Sequence, residues 1–224
     1  MKTKLVILTA LGNIILGLGI AILNVSGFGI DAFTSMTTGI SNLLGVGLGV
    51  FQMTFNLVMY VPVLMINRKA FGIGALINLF LLGYIVQYIG IFFSMFGFTA
   101  SAVASSIFTR VILLVAGILI LCFGCALYMD CDLGVAPNDL FILIFTDKTR
   151  IEYRFVRIGI DITFLTVGFL LCGVNTFGST LGFGTVLNAL IQGPLIQFFM
   201  EHIEKAIRPV IAYDNSKEAE KEAF

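Results

Sequence analysis

Three carboxylates fall within the apolar stretches of this chain, and they are where chemistry could happen. Asp31 is the only charged residue between Leu5 and Asn67. Asp139 follows Pro137 and Asn138, and Asp161 lies in a later apolar run, one helical turn after Arg157. A carboxylate inside a bilayer costs about 2.5–3.5 kcal/mol even on the lenient insertion scale, so such groups usually serve a proton, an ion or a substrate. Each also has a plainer use. Asp31 can cap the helix that follows it by accepting a free backbone N–H. Arg157 and Asp161 have the spacing of a salt bridge on one helix face.

Amides form a second set. Asn78 and Asn188 each follow a glycine (Gly74, Gly184) by four residues, which puts a small residue and an amide on one helix face. In a membrane that is a packing face with an interhelical hydrogen bond, or the lining of a site; Gln192 extends it. Gly193-Pro194 is expected to kink or break the last helix, and broken helices are where transporters place their sites. Candidate substrate-binding residues are therefore Asp31, Thr34, Asn78, Asn138, Asp139, Asn188 and Gln192. Candidate coupling residues are Asp31, Asp139 and Asp161.

Other chemistry has little support. Cys122 and Cys125 form a C-x-x-C inside an apolar span with no histidine nearby, so they read as small apolar helix residues. The lone His202 lies among Glu201, Glu204 and Lys205 and reads as interfacial. No zinc-protease, serine-hydrolase or phosphate-loop motif is present, so the protein is not expected to be an enzyme. No metal site and no cofactor are expected. No basic patch points to nucleic acid.

The elements that must position these residues are membrane helices. The chain is 58% hydrophobic and only 12% charged, where a soluble domain carries about 25% charged residues. Apolar runs predict helices at 5–25, 46–66, 71–96, 108–129, 154–172 and 181–200. The first looks like a signal peptide at its start, but it is too long for one, and it is read as an uncleaved membrane helix. Two shorter segments, 30–44 and 134–146, have too few apolar residues to cross a hydrocarbon core of about 30 Å. Pro137 suits a first helical turn. Both are read as re-entrant half-helices.

The sequence also repeats. Gly19-Ile20-Ala21-Ile22-Leu23 and Gly29 recur as Gly124-Cys125-Ala126-Leu127-Tyr128 and Gly134, and Asn56 falls on Asp161 and Thr34 on Asp139 at the same offset. Gly72, Gly74, Asn78, Gly83 and Gln87 recur, at a slightly longer offset, as Gly182, Gly184, Asn188, Gly193 and Gln197. The expected fold is an all-α membrane protein of two inverted repeats, each three transmembrane helices plus one re-entrant half-helix: residues 1–105, then 106–200, then a partly disordered cytoplasmic tail at 201–224 with Pro209 as a breaker. Asn56 and Asp161 could face each other across the pseudo-dyad. With both termini inside, every Lys and Arg of the 13 except Arg110 falls on the inner side. Eight full spans would misplace only Arg68 and Lys69, so segment length decides between the two arrangements.

The stretch Ser26-Gly27-Phe28-Gly29-Ile30-Asp31-Ala32-Phe33-Thr34, with Gly72 to Asn78 and Gly182 to Pro194, resembles the YczE/YyaS/YitT group of bacterial membrane proteins, closest on the YczE side. The resemblance covers about residues 5–200. The group usually has Pro before the Phe; here that position is Ala32, and the Pro stands in the second repeat as Pro137. The resemblance implies a multi-pass protein of the bacterial inner membrane, regarded as a transporter, with no substrate to carry over. The expected function is secondary transport of a small molecule, coupled to protons or cations, with the carboxylates favouring a cationic substrate over an anionic one. A passive channel and a non-transport scaffold are the alternatives; the aquaporin-type N-P-A is missing from both half-helices. The expected partners are the lipid bilayer and a small-molecule or ion substrate, with a homo-oligomer also compatible.

Overall fold

The computed structural model describes residues 3–66, 72–172 and 182–222, without the side chains of 3, 63, 64, 66, 172 and 207–222. Arg68 and Lys69, which helped orient the chain, lie outside the described residues. Among the described residues the regular secondary structure is all helix, with no strand. In chain order the helices are α1 (Thr3–Ser26), α2 (Ala32–Leu44), α3 (Leu48–Ile66), α4 (Ile73–Met95), α5 (Ala100–Val103), α6 (Ile107–Asp130), α7 (Pro137–Thr149), α8 (Tyr153–Cys172) and α9 (Phe183–Glu222).

Glycine spacing sets the centre. A Cβ added to Gly12 would lie 2.8 Å from the Tyr128 nitrogen, and one on Gly124 would lie 2.8 Å from the Leu16 Cα. Gly19 meets Leu121 in the same way, and Gly117 meets Leu23. As numbers rise along α1 (12, 16, 19, 23) their partners on α6 fall (128, 124, 121, 117), so the two helices run antiparallel at backbone contact. Small residues at membrane helix interfaces allow this approach, where dispersion replaces the hydrophobic effect. Two further helices flank the pair in parallel. α4 follows α1 through Gly74 beside Thr9 and Asn78 bonded to Asn13. α9 follows α6 through Gly184 beside Leu114 and Phe199 stacked edge-on to Phe123.

Two breaks position the acidic residues. After α1 the chain turns through Gly29 (φ 109°), and after α6 through Gly134 (φ 91°), a backbone region that only glycine enters without strain. Arg110 closes the end of α1: its Nε and a terminal nitrogen donate to the Ser26 and Gly27 carbonyls at 2.8 and 2.7 Å, groups a helix end leaves unpaired. Each break then receives the start of a later or earlier helix. Gly184 N donates to the Phe28 carbonyl (2.9 Å), and Gly74 N donates to the Leu133 carbonyl (2.7 Å).

The helices that follow the breaks are short. α2 and α7 have 13 residues each, about 20 Å at 1.5 Å per residue. α2 lies along α8, with Phe33 against Phe164 and Met36 against Gly168. It bends by 115° into α3, the geometry of a broken span or a re-entrant segment. α1, α4, α6 and the first part of α9 are each long and apolar enough to cross a membrane, and the α2–α3 pair is a further candidate. Exposed Phe80, Tyr88, Phe108, Val115, Leu170 and Phe198 give the outer surface the apolar character lipid requires.

The last helix departs from expectation. α9 runs without interruption through Gly193-Pro194 and Pro209 to Glu222, so neither proline ends it and the expected partly disordered tail is helical as far as Glu222. Gly193 is instead a contact glycine. A Cβ there would lie 2.7 Å from the Arg154 carbonyl, so the bare backbone lets the start of α8 rest on α9. Gln197, one turn on, accepts from Arg154 N at 3.2 Å. The corresponding surface of α4 is open. Cβ atoms on Gly49 and Gly83 would meet nothing within 4 Å. Gln87 lines an open cavity of about 670 Å³ with Asn24, Ser94 and Thr99.

Candidate functional site

The start of α7 carries the densest buried charge. Ala136 offers no side-chain cap, Pro137 occupies the first turn, and Asp139 follows in that turn. Asp139 turns away from its own helix end. One carboxylate oxygen accepts from the Tyr128 hydroxyl on α6, and the other accepts from Arg157 on α8 at 2.6 Å. Arg157 donates through Nε to Asp161 at 3.1 Å. The Arg157 and Asp161 side chains are 5% and 1% exposed. The guanidinium therefore sits between two carboxylates from different helices and ties α7 to α8. Tyr60 on α3 reaches the same region and donates to the Val135 carbonyl at 2.9 Å.

Asp31 caps α2. Its Oδ1 accepts from Thr34 N at 2.9 Å, which is all that Thr34 contributes there, through its backbone. The other oxygen is buried with no partner among the described residues. Asp31 lies close enough to Asp161 for the two charges to repel. The region thus holds three carboxylates against one guanidinium, all at least nine-tenths buried.

The amides divide. Asn78 is engaged: its Nδ2 donates to Asn13 Oδ1 at 2.9 Å, and Asn13 in turn donates to the Thr9 carbonyl. This is the interhelical bond that the Gly74–Asn78 face predicted. Asn138, Asn188 and Gln192 are buried, yet Asn138 Oδ1, both polar atoms of Asn188 and Gln192 Oε1 have no partner among the described residues. A buried polar group left unpaired costs about 1–3 kcal/mol, so such groups call for an explanation. The structure pairs Asp161 with Arg157, and Asn56 is only half-buried. Cys122, Cys125 and Cys131 are free and buried, and no group of residues among those described could hold a metal ion. His202 is exposed, bonded to the Phe198 carbonyl and packed at a tilt against the Phe198 ring.

Tyr128 and Asn13 are the residues that sequence reasoning missed. For Tyr128 there was a signal: in the repeated block it stands where the first copy has Leu23, a polar tip gained inside an apolar helix.

Comparison with known proteins gives the chain relatives but no activity. Residues 3–201 match the family described as "Family of unknown function (DUF6198)". An uncharacterized protein of Haemophilus influenzae is 30% identical over 218 residues, covering 95% of this chain and 89% of the relative. The uncharacterized membrane protein YczE of Bacillus subtilis is 32% identical over 126 residues, 56% of this chain and 52% of its own length. YyaS of the same organism is 25% identical over 195 residues, covering 87% and 92%. No solved structure matches.

Proposed function

The chain belongs to the family of unknown function DUF6198 and is a multi-pass membrane protein; we propose that it is a secondary transporter of a small molecule, coupled to protons or cations, in the bacterial inner membrane. One observation carries this reading: Asp31, Asp139 and Asp161 are buried among membrane helices with Arg157 as the counter-charge. Ion-pairing one guanidinium leaves a surplus of negative charge in a low-dielectric interior. The N-terminal ends of α2 and α7 offset part of that surplus, and protons or a bound cation would offset the rest. Asp31, Asp139 and Asp161 are the coupling residues in this reading.

The inverted-repeat organisation, with six spans, two half-helices and both termini inside, is part of the same proposal. It is supported by contacts that cross. Positions 28 and 133 lie at the repeat offset, as do 74 and 184, and each half's break accepts from the other half's helix start. The contacts of Gly12 and Gly117, and of Gly19 and Gly124, exchange in the same manner. A carrier is favoured over an open channel by the one-sided closure, with α8 resting on Gly193 while the α3–α4 surface stays open.

The test uses protein reconstituted in vesicles with an imposed pH gradient and a trapped pH dye, screened against amines, amino acids and monovalent cations. Saturable dissipation by one class, lost in Asp161→Asn and in Asp31→Asn, is the expected result. Flux that never saturates and ignores both substitutions would establish a channel instead.

A further inference from the structure

The unmet hydrogen-bonding capacity describes the ligand that would satisfy it. Of the seven buried oxygens without partners among the described residues, four belong to Asp31 (Oδ2), Asn138 (Oδ1), Asn188 (Oδ1) and Gln192 (Oε1); the others are on Thr38, Asp130 and Thr146. Among these four residues the one unpaired donor is Asn188 Nδ2; Arg154 Nε, the other unpaired nitrogen among the described residues, lies at the start of α8. The helices that carry them pack together, α2 and α8 each against α9 and α7 against α8. The first turn of α9 sits on the break that leads to Asp31, through Gly184 N and the Phe28 carbonyl. Asn188 is one turn further along α9, and Gln192 one turn beyond that. The Gln192 carbonyl lies 4.0 Å from Cys122 Sγ, and Cys122 is within electrostatic reach of Arg157 and Asp161. Asn138 adjoins Asp139, which Arg157 holds.

The Asn188 orphan has an origin in the duplication. In the first half, Asn78 is satisfied by Asn13. Position 118, at the repeat offset from Asn13, is Ile118, which cannot bond an amide. The second copy has thus lost the structural partner and kept the amide, at 1% exposure.

We propose that Asp31, Asn138, Asn188 and Gln192 form a recognition site for a primary alkylammonium group. An ammonium brings three N–H donors and one positive charge, which matches a set rich in acceptors beside surplus carboxylate. A carboxylate or phosphate ligand would meet one donor and repulsion. A quaternary ammonium has the charge but no N–H to give. The proposal rests on the carrier reading, as its substrate class, while the Tyr128–Asp139–Arg157–Asp161 network, whose charged groups are mutually paired, serves the coupling ion.

The experiment is thermal unfolding of the purified full-length protein in detergent with n-butylammonium, tetramethylammonium, sodium chloride or sodium acetate at equal ionic strength. A ligand that binds only the folded state raises the apparent melting temperature. Butylammonium is expected to raise it saturably and the other three not. Asn188→Leu and Gln192→Met remove orphan groups without creating cavities, so both should fold, and each should weaken butylammonium binding at least about tenfold. Equal stabilisation by tetramethylammonium or sodium overturns the proposal, as does undiminished butylammonium binding in both variants. If butylammonium does not bind while another compound drives proton flux in vesicles, the alkylammonium site falls and the carrier stands. If butylammonium binds as described but no compound moves protons, the site stands and the carrier falls.

Discussion

Residues 3–95 and 107–206 use the same spacing of glycines and half-length helices to different ends. In the second region, matched positions carry Tyr128, Asp139, Arg157 and Asp161; in the first they carry Leu23, Thr34, Gln52 and Asn56. The second region builds a buried ion-pair network. The first builds a neutral chain of amides, from Asn78 through Asn13 to the Thr9 carbonyl. Their packing differs as well, α8 lying on α9 while the matched surface of α4 is bare. The comparison teaches that a helical scaffold held by backbone contact at small residues leaves its polar positions free to diverge. One region can then keep the packing while the other carries charge.

The sharpest way to break this comparison is to make the second region like the first. Arg157→Gln alone strands Asp139 and Asp161 without their counter-charge, and breaking a buried ion pair costs about 3–5 kcal/mol. The expected result is a large fall in melting temperature or loss from the membrane fraction. The pair Arg157→Gln with Asp161→Asn recreates the Gln52–Asn56 pair of the first region and should regain much of that loss. A double-mutant cycle on the purified protein measures the coupling; a double variant no more stable than the single would show that the two regions are not interchangeable in this sense.

A smaller effect separates the two glycine contacts. Gly193→Ala forces a methyl against the Arg154 carbonyl, 2.7 Å from the ideal Cβ, and should cost about 1–3 kcal/mol as overpacking does. Gly83→Ala meets open space and should be neutral or stabilising by up to about 1 kcal/mol through helix propensity. Melting temperatures of the two variants decide it. If both substitutions cost the same, the difference in packing between α4 and α9 is not real in the membrane.

The amides give a third, subtler contrast. Asn13→Leu or Asn78→Leu leaves one buried amide unpaired, at about 1–3 kcal/mol, whereas the double substitution removes the debt. Asn188→Leu in the ligand-free protein should cost nothing and gain a little, because its amide is already unpaired. Unfolding in detergent distinguishes them, and a destabilised Asn188→Leu would mean that a structural partner exists.

These contrasts also show what the sequence could and could not reveal. Asp31 was legible because one carboxylate in a long apolar run has no cheap explanation, and its capping bond to Thr34 is local in sequence. The helix positions were legible from apolar run length; the seven expected helices before the last lie within about three residues of α1–α4 and α6–α8. The Asn78 bond was legible as a face, though not its partner, since Asn13 lies 65 residues away. Tyr128 and Arg157 converge on Asp139 from 11 and 18 residues off, a distance at which no helical periodicity speaks. Gly193-Pro194 does not end the last helix, for a physical reason. The pair reads locally as a breaker, but its glycine serves an approach by α8 that only the tertiary structure supplies.

The smallest expected signal asks whether the open and closed surfaces exchange. In a carrier built from inverted repeats, the two halves swap conformations as access alternates. The second half then gives the contact that the first half should make: position 49 resting on Gly83 as Arg154 rests on Gly193, with Gln87 taking the part of Gln197. A disulfide requires Cα atoms about 4.4–6.8 Å apart, so it can trap such an approach. Arg154→Cys with Gly193→Cys should cross-link in native membranes on mild oxidation after a small shift of α8, since the ideal Cβ of Gly193 is 3.2 Å from the Arg154 Cα and 2.7 Å from its carbonyl oxygen. Gly49→Cys with Gly83→Cys should cross-link slowly, from a minor population, and faster when butylammonium or a pH gradient shifts the balance. Arg68 and Lys69 lie between positions 49 and 83, so trypsin leaves the two peptides joined only if the bond has formed, and mass spectrometry reads the fraction. If 49 and 83 never join under any ligand or gradient while 154 and 193 join at once, the asymmetry is a fixed property of the fold, and alternating access through these surfaces is wrong.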